Sequence, residues 1–144
     1  MLDIDDIPDM RAELESRLDA LDHHSLAEWA VGLASHVSFL VGPTDTTVES
    51  EGACARALAG WSAGVLDADS IRARASDLRS VAMHCDGAEQ SAVRAMACSV
   101  SCMQDRADAI LASDYAVRAV NLLLPDDMDA VMMERLWHIL TANA

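Results

Sequence analysis

The sequence predicts an all-α fold, a compact bundle of about six or seven helices around a long central Ala-rich helix spanning about 88–124. Three observations lead there. Apolar residues recur at alternating spacings of three and four through most of the chain, which places them on one helical face. Nothing alternates at period two for long enough to form a strand. Helix-stop chemistry falls between the periodic stretches, at Gly42-Pro43, Gly64, Gly87 and Pro125.

From Met1 to Asp9, the residues Asp3, Asp5, Asp6 and Asp9 surround Ile4 and Ile7, and Pro8 stands where a first helical turn tolerates it. Met10, Leu14, Leu18 and Leu21 then predict a helix to about Asp22, with His23-His24 in the turn behind it. Ser25 with Glu28 reads as a capping box for a second helix presenting Leu26, Trp29, Leu33, Val37 and Leu40. Thr46 with Glu49 offers another box, opening a helix through Cys54, Leu58 and Trp61 to Gly64. Asp67 or Asp69 caps a fourth, which carries Ile71, Ala75, Leu78, Val81 and Ala82 and ends at Cys85-Asp86-Gly87.

The central stretch, Ser91 to Val120, runs thirty residues without Gly or Pro. Val93, Met96, Val100, Met103, Ala107 and Ile110 form one stripe; past Asp114 a neighbouring stripe of Leu111, Tyr115, Ala119 and Leu123 replaces it. A helix drifting against a 3.5-residue repeat, or one breaking near Ser113, produces such a change. Asp126 or Asp127 caps the last helix, with Met128, Met132, Leu136, Ile139 and Leu140 on one side. Residues 1–144 read as a single domain, with an acidic arm and helix over 1–24 and a C-terminal helix over 126–144 packed on the core.

With 144 residues and 52% hydrophobic content the chain can bury a core, despite a net charge of −14. All ten basic residues are Arg. The acidity argues against nucleic acid and anionic membrane surfaces as partners and suits a basic protein. Met1 to Glu28 holds nine acidic residues against two Arg, so half the net charge lies there. There is no charged-then-apolar leader and no apolar run near eighteen residues, so a soluble, cytoplasmic protein is expected. Cys54, Cys85, Cys98 and Cys102 lie inside helical patterns, which favours reduced thiols.

Gly60-Trp61-Ser62-Ala63-Gly64 matches the G-x-S-x-G nucleophile pattern, but helix precedes the Ser where the chemistry needs a strand. It reads as a helix end with Gly64 in a left-handed conformation. Cys98 and Cys102, at i and i+4, lack the turn spacing of a zinc set with His84 and Cys85, and read as small apolar residues. No metal, cofactor or catalytic residue is expected. His36 and His138 read as edge-of-core or surface residues. Gln104 to Asp108 is a polar block on an otherwise apolar helix, and Arg94 and Arg118, each flanked by Val and Ala, read as partly buried side chains needing a carboxylate such as Asp108 or Asp114.

LAEWA, then ARALAGWSAGVLDADSIRARA, then AVRAMACSVSCMQDRADAILASDYAVRA follow in an order that resembles the immunity-protein-five-like family of all-α immunity proteins from bacterial polymorphic-toxin systems. The resemblance covers about Leu26 to Val120, leaving the acidic start and the last helix as this protein's own. It implies a bacterial protein that binds and neutralises a cognate toxin by protein–protein contact rather than an enzyme. Asp3, Asp5, Asp6, Asp9 and Glu13 are the candidate contact residues for a basic toxin. Two alternatives stand beside it. One is a helical enzyme or ligand-sensing domain with a polar pocket near Arg94, Asp108, Tyr115 and Arg118. The other is a structural protein that forms a homodimer through Met128, Met132 and Met133.

Overall fold

The computed structural model describes residues 2–143 and contains seven helices: α1 (Pro8–Asp19), α2 (His23–Val41), α3 (Asp45–Ser62), α4 (Ala68–Ala82), α5 (Gly87–Ser101), α6 (Asp108–Leu123) and α7 (Met128–Thr141). No strand occurs among the described residues. None of these helices is long and apolar enough to cross a membrane. The fold is all-α, as the periodicity predicts.

At its centre lies α5, with α2, α3, α4 and α6 around it. From Ser91 to Met103 every residue but Arg94 is buried. Alanine lets the neighbours approach closely: Ala27, Ala30 and Ala34 of α2 meet Ala92 and Ala95 of α5 in one core, all fully enclosed. Between them Ser99 Oγ lies 2.8 Å from the Ala30 carbonyl of α2 and 2.9 Å from its own helix's Ala95 carbonyl. A short hydroxyl that spans two helices requires backbones this near.

The continuous helix expected over 88–124 is in fact two, α5 and α6, parted by a turn over 102–107. The break falls at the polar block and not near Ser113. Two distant groups hold it open. Arg106 Nη2 donates to the Leu18 and Leu21 carbonyls (3.2 and 2.7 Å), satisfying acceptors left over at the end of α1, and His23 Nε2 meets the Cys102 carbonyl at 2.8 Å. With the chain reversed there, the two apolar stripes belong to two different helices.

The caps divide similarly. Asp67 and Asp127 accept from Ser70 N and Ala130 N as expected. At α2 the cap is Asp22, accepting from Ser25 N at 2.7 Å, so His23 and His24 are helical and do not form the turn. At α3 the capping box is Thr44 with Thr47, two residues ahead of the Thr46–Glu49 pair. Gly64 takes φ +73° and closes α3 with Val65 N–Gly60 O (2.9 Å) and Gly64 N–Trp61 O (3.1 Å), a Schellman ending. At Gly60 a Cβ would stand 2.7 Å from Leu66 Cγ and Cδ1, so this glycine is room for Leu66. The G-x-S-x-G string is thereby accounted for as helix termination.

The last helix departs furthest from expectation. Its buried side is Val131, Glu134, Arg135, His138 and Ile139. Of the predicted packing side, Met128, Met132, Leu136 and Leu140 are exposed, and only Ile139 is inside. Thus α7 turns a charged face inward and an apolar face outward, and the partners of that charged face explain why.

Candidate functional site

The inward face of α7 meets an extended arm, residues 2–7, laid across α6 and α7. Ile4 and Ile7 of the arm pack against Val117, Val120 and Val131. Its backbone is clasped from α6: Asp5 N donates to Asn121 Oδ1 (2.9 Å), Asn121 Nδ2 donates to the Asp5 carbonyl (3.1 Å), and Arg118 Nη1 donates to the Asp3 carbonyl (2.9 Å).

A fully enclosed guanidinium completes the attachment. Arg135, 0% exposed, donates through Nε and Nη2 to both oxygens of Asp6 (2.9 and 2.7 Å), through Nη2 to Asp114 (2.8 Å) and through Nη1 to Ser113 Oγ (2.5 Å). On its other side Asp114 is gripped by Arg11 of α1, Nε at 2.9 Å and Nη2 at 2.8 Å, and Arg11 also reaches Glu15 at 2.6 Å. Arm, α1, α6 and α7 are thus joined by alternating charges, with two forked guanidinium–carboxylate pairs. Burial pushes the Asp6 carboxyl upward, but the hydrogen bond and charge of Arg135 outweigh it and leave Asp6 below the ordinary range.

Beyond Ser113 the chain of contacts continues into a histidine pair. Ser113 Oγ lies 2.5 Å from His138 Nδ1; His138 Nε2 lies 2.6 Å from Glu134 Oε2; His36 Nε2 of α2 lies 2.9 Å from both Glu134 oxygens. The Trp137 ring stacks on His36 at 3.7 Å, and Trp29 Nε1 donates to the His138 carbonyl. Burial alone would raise the Glu134 carboxyl, yet hydrogen bonds from His138 and His36 hold it at about 2. Burial pushes His138 below its ordinary value, which favours the neutral ring at neutral pH. A carboxylate facing both Nε2 atoms requires a proton on each. His138 Nδ1 is then an acceptor for the Ser113 hydroxyl, whose oxygen in turn accepts from Arg135.

Ser113, His138 and Glu134 are the residue types of a hydrolytic triad, but the arrangement cannot act as one. Ser113 is 0% exposed and its oxygen already accepts from a guanidinium, so no carbonyl can reach it. His36, Glu134 and His138 are also the donors that could hold a metal, with ligand atoms within 4.8 Å of one another. Zinc ligands at 2.0–2.1 Å stand about 3.3 Å apart around a tetrahedron. Here the His138–Glu134 and His36–Glu134 contacts are 2.6 and 2.9 Å, closed by protons, so the set fits a hydrogen-bonded brace better than a cation cage.

Asp3, Asp5, Asp9 and Glu13 are exposed along the arm and α1, and Glu13 pairs with Arg17. Asp6 differs, being half-buried with its carboxylate committed to Arg135. Among the described residues no hydrogen bond or ion pair joins any two of Arg94, Asp108, Tyr115 and Arg118. Arg118 serves the arm; Tyr115 packs half-buried against the core; Arg94 is half-buried on α5. Asp108 lines a cavity of about 450 Å³ between α4 and the α5–α6 turn, with Arg72, Arg79 and Gln104 but without Arg94 or Tyr115. The buried arginine is Arg135, and Asp114, named beforehand as a carboxylate for such a group, is one of its two acids. His36 and His138, expected at the core edge or surface, are the centre of the brace. Glu134 and His138 at i and i+4 were the local signal, and nothing in the sequence tells which way that face points.

The four cysteines are free and buried and form no common set. Cys54 Sγ donates to the Met96 carbonyl, Cys85 to Val81 and Cys102 to Ser99.

A family model described as Imm-5 like putative immunity protein matches residues 16–144. The match reaches beyond the stretch that carried the resemblance and takes in α7, while the arm and the first two turns of α1 lie outside it. No curated protein and no solved structure matches the chain.

Proposed function

The chain belongs to the Imm-5 like putative immunity protein family, and from that membership we propose that it is a bacterial immunity protein, binding and neutralising a cognate toxin by direct contact in the cytoplasm. On this reading residues 1–144 act as one domain, the protein is a binder and not an enzyme, and the contact surface begins at the acidic arm.

The observation that carries the assignment of the surface is the fixing of the arm. Residues 1–15 lie outside the family match and hold six acidic residues against one Arg. Their backbone and two side chains, Asp6 and Arg11, are tied to α6 and α7, while Asp3, Asp5, Asp9 and Glu13 remain exposed. Charges set on a backbone already ordered attract a basic partner without the cost of ordering a loose segment on binding. They also raise the encounter rate in a salt-dependent way. Among the described residues no contact joins Arg94, Asp108 and Tyr115 into a ligand pocket.

The test is co-expression and pull-down with the toxin domain encoded in the adjacent reading frame. Survival and capture with the wild-type chain are expected, and a toxin that kills equally in its presence removes the proposal. Reversing Asp3, Asp5, Asp9 and Glu13 to Arg, with Asp6 left in place, should slow association about tenfold at low salt and less at high salt. Unchanged association removes the acidic arm from the interface.

A further inference from the structure

We infer that the outward face of α7 is a docking ridge for a basic amphipathic helix of a partner protein. The inference adds a second surface and its chemistry to the partner reading above. Leu123, Leu124, Met128, Met132, Leu136 and Leu140 are all exposed, between 37% and 58%. The last four follow one another at i+4 along a single helix, a ridge of about 18 Å at 1.5 Å per residue. A contiguous apolar strip in water is unfavourable for an isolated molecule and marks an interaction surface. Methionine, unbranched and soft, suits a surface that must fit another protein.

Its exposure is built in. α7 could bury this face only by rotating, and rotation would drag Glu134, Arg135 and His138 out of their pairings with Asp6, Asp114, Ser113 and His36. The charge around the ridge selects the occupant. Arg135 is the one Arg of α7, and it faces inward. Asp126, Asp127 and Asp129 are exposed where the ridge begins. The Asp5–Asn121 clasp sets the acidic arm beside the end of α6, just ahead of Leu123 and Leu124. An apolar strip with acids clustered where it begins, and no cation on the outward side of its own helix, fits an apolar stripe flanked by Arg or Lys. A second copy of this chain fits worse, because face-to-face pairing would bring two such acid clusters together at −14 per molecule.

The probe is a designed helical peptide with Leu at i, i+4 and i+8 and Arg on both flanks, measured by fluorescence anisotropy against the full chain. Wild type should bind it. Met132→Glu with Leu136→Glu, both at exposed positions and checked for an unchanged far-UV spectrum, should weaken binding about tenfold or more. The same peptide with Glu in place of Arg should not bind. Equal binding by the double variant, or by the Glu-flanked peptide, overturns the inference. A dimer in light scattering that the double variant splits assigns the ridge to a second copy and overturns it too. These outcomes do not depend on the toxin pull-down, so the ridge and the immunity reading stand or fall separately.

Discussion

Replacing Arg135 with Met tests the attachment of the arm. The substitution keeps a long side chain in an enclosed space but withdraws four hydrogen bonds. Asp114 keeps Arg11 on its far side, so its loss is partial. Asp6, whose side chain is only 12% exposed, is left facing an apolar wall, and Ser113 loses a donor. Breaking a buried pair by removing one partner costs about 3–5 kcal/mol; the surviving Arg11 contacts place this case near ~3 kcal/mol. With about 2.1 cal/mol/K of unfolding entropy per residue, a chain of 144 residues should lose about 10 °C in Tm. Urea and thermal melts followed by circular dichroism measure both. Hydrogen exchange at the Asp5 amide, bonded to Asn121, reports whether the arm has loosened. Adding Asp6→Asn to Arg135→Met should recover part of the loss, since the stranded charge is gone. A cost under about 1 kcal/mol, together with unchanged exchange at Asp5, would refute the idea that this guanidinium anchors the arm.

Acid should unfold the protein in two stages. His138, pushed below 6.5 by burial, binds its proton more readily unfolded, so stability falls as pH drops below about 6.5; Glu134, held at about 2 against 4.5, adds a loss between 4.5 and 2 worth ~3 kcal/mol. Glu134→Gln should flatten the lower stage in urea melts run across pH, and an unaltered slope there contradicts the brace. Gly64→Ala, at φ +73°, should cost about 1 kcal/mol that no neighbour can relieve, whereas the cost of Gly60→Ala should shrink in a Leu66→Ala background. Burial pushes Cys54, Cys98 and Cys102 up to about 12 and Cys85 to about 11, so Ellman's reagent should react with the native protein only as fast as it opens, and a prompt titration of four thiols would exclude that burial.

The all-α class, the positions of the helices and most of their ends were legible because they rest on local chemistry, in which periodicity, Asp caps and glycine stops act within a few residues. Two misreadings share one cause. The turn over 102–107 contains neither Gly nor Pro, and is held by Arg106 and His23 through contacts 79 to 88 residues apart in the chain. The face of α7 was chosen by Asp6, His36 and Asp114, which lie 129, 98 and 21 residues from their respective partners, against its own apolar pattern. Hydrophobic periodicity assigns the inside of a helix only when no buried charge network competes. In α7 one does, and the inward-facing site was illegible because the apolar side gave no sign that a charged side would be the buried one.

The Asp6–Arg135 fork spans 129 residues and joins the arm to α7. On the ribosome α1 to α6 can collapse together while Asp6 and Asp114 still lack this cation and Val117 and Val120 lack Val131. The arm is therefore fixed only after α7 has been made. A nascent chain stalled before Arg135 would expose an unclosed apolar seam flanked by two unanswered carboxylates, and the acidic arm would be presented to a partner only once translation had passed that point.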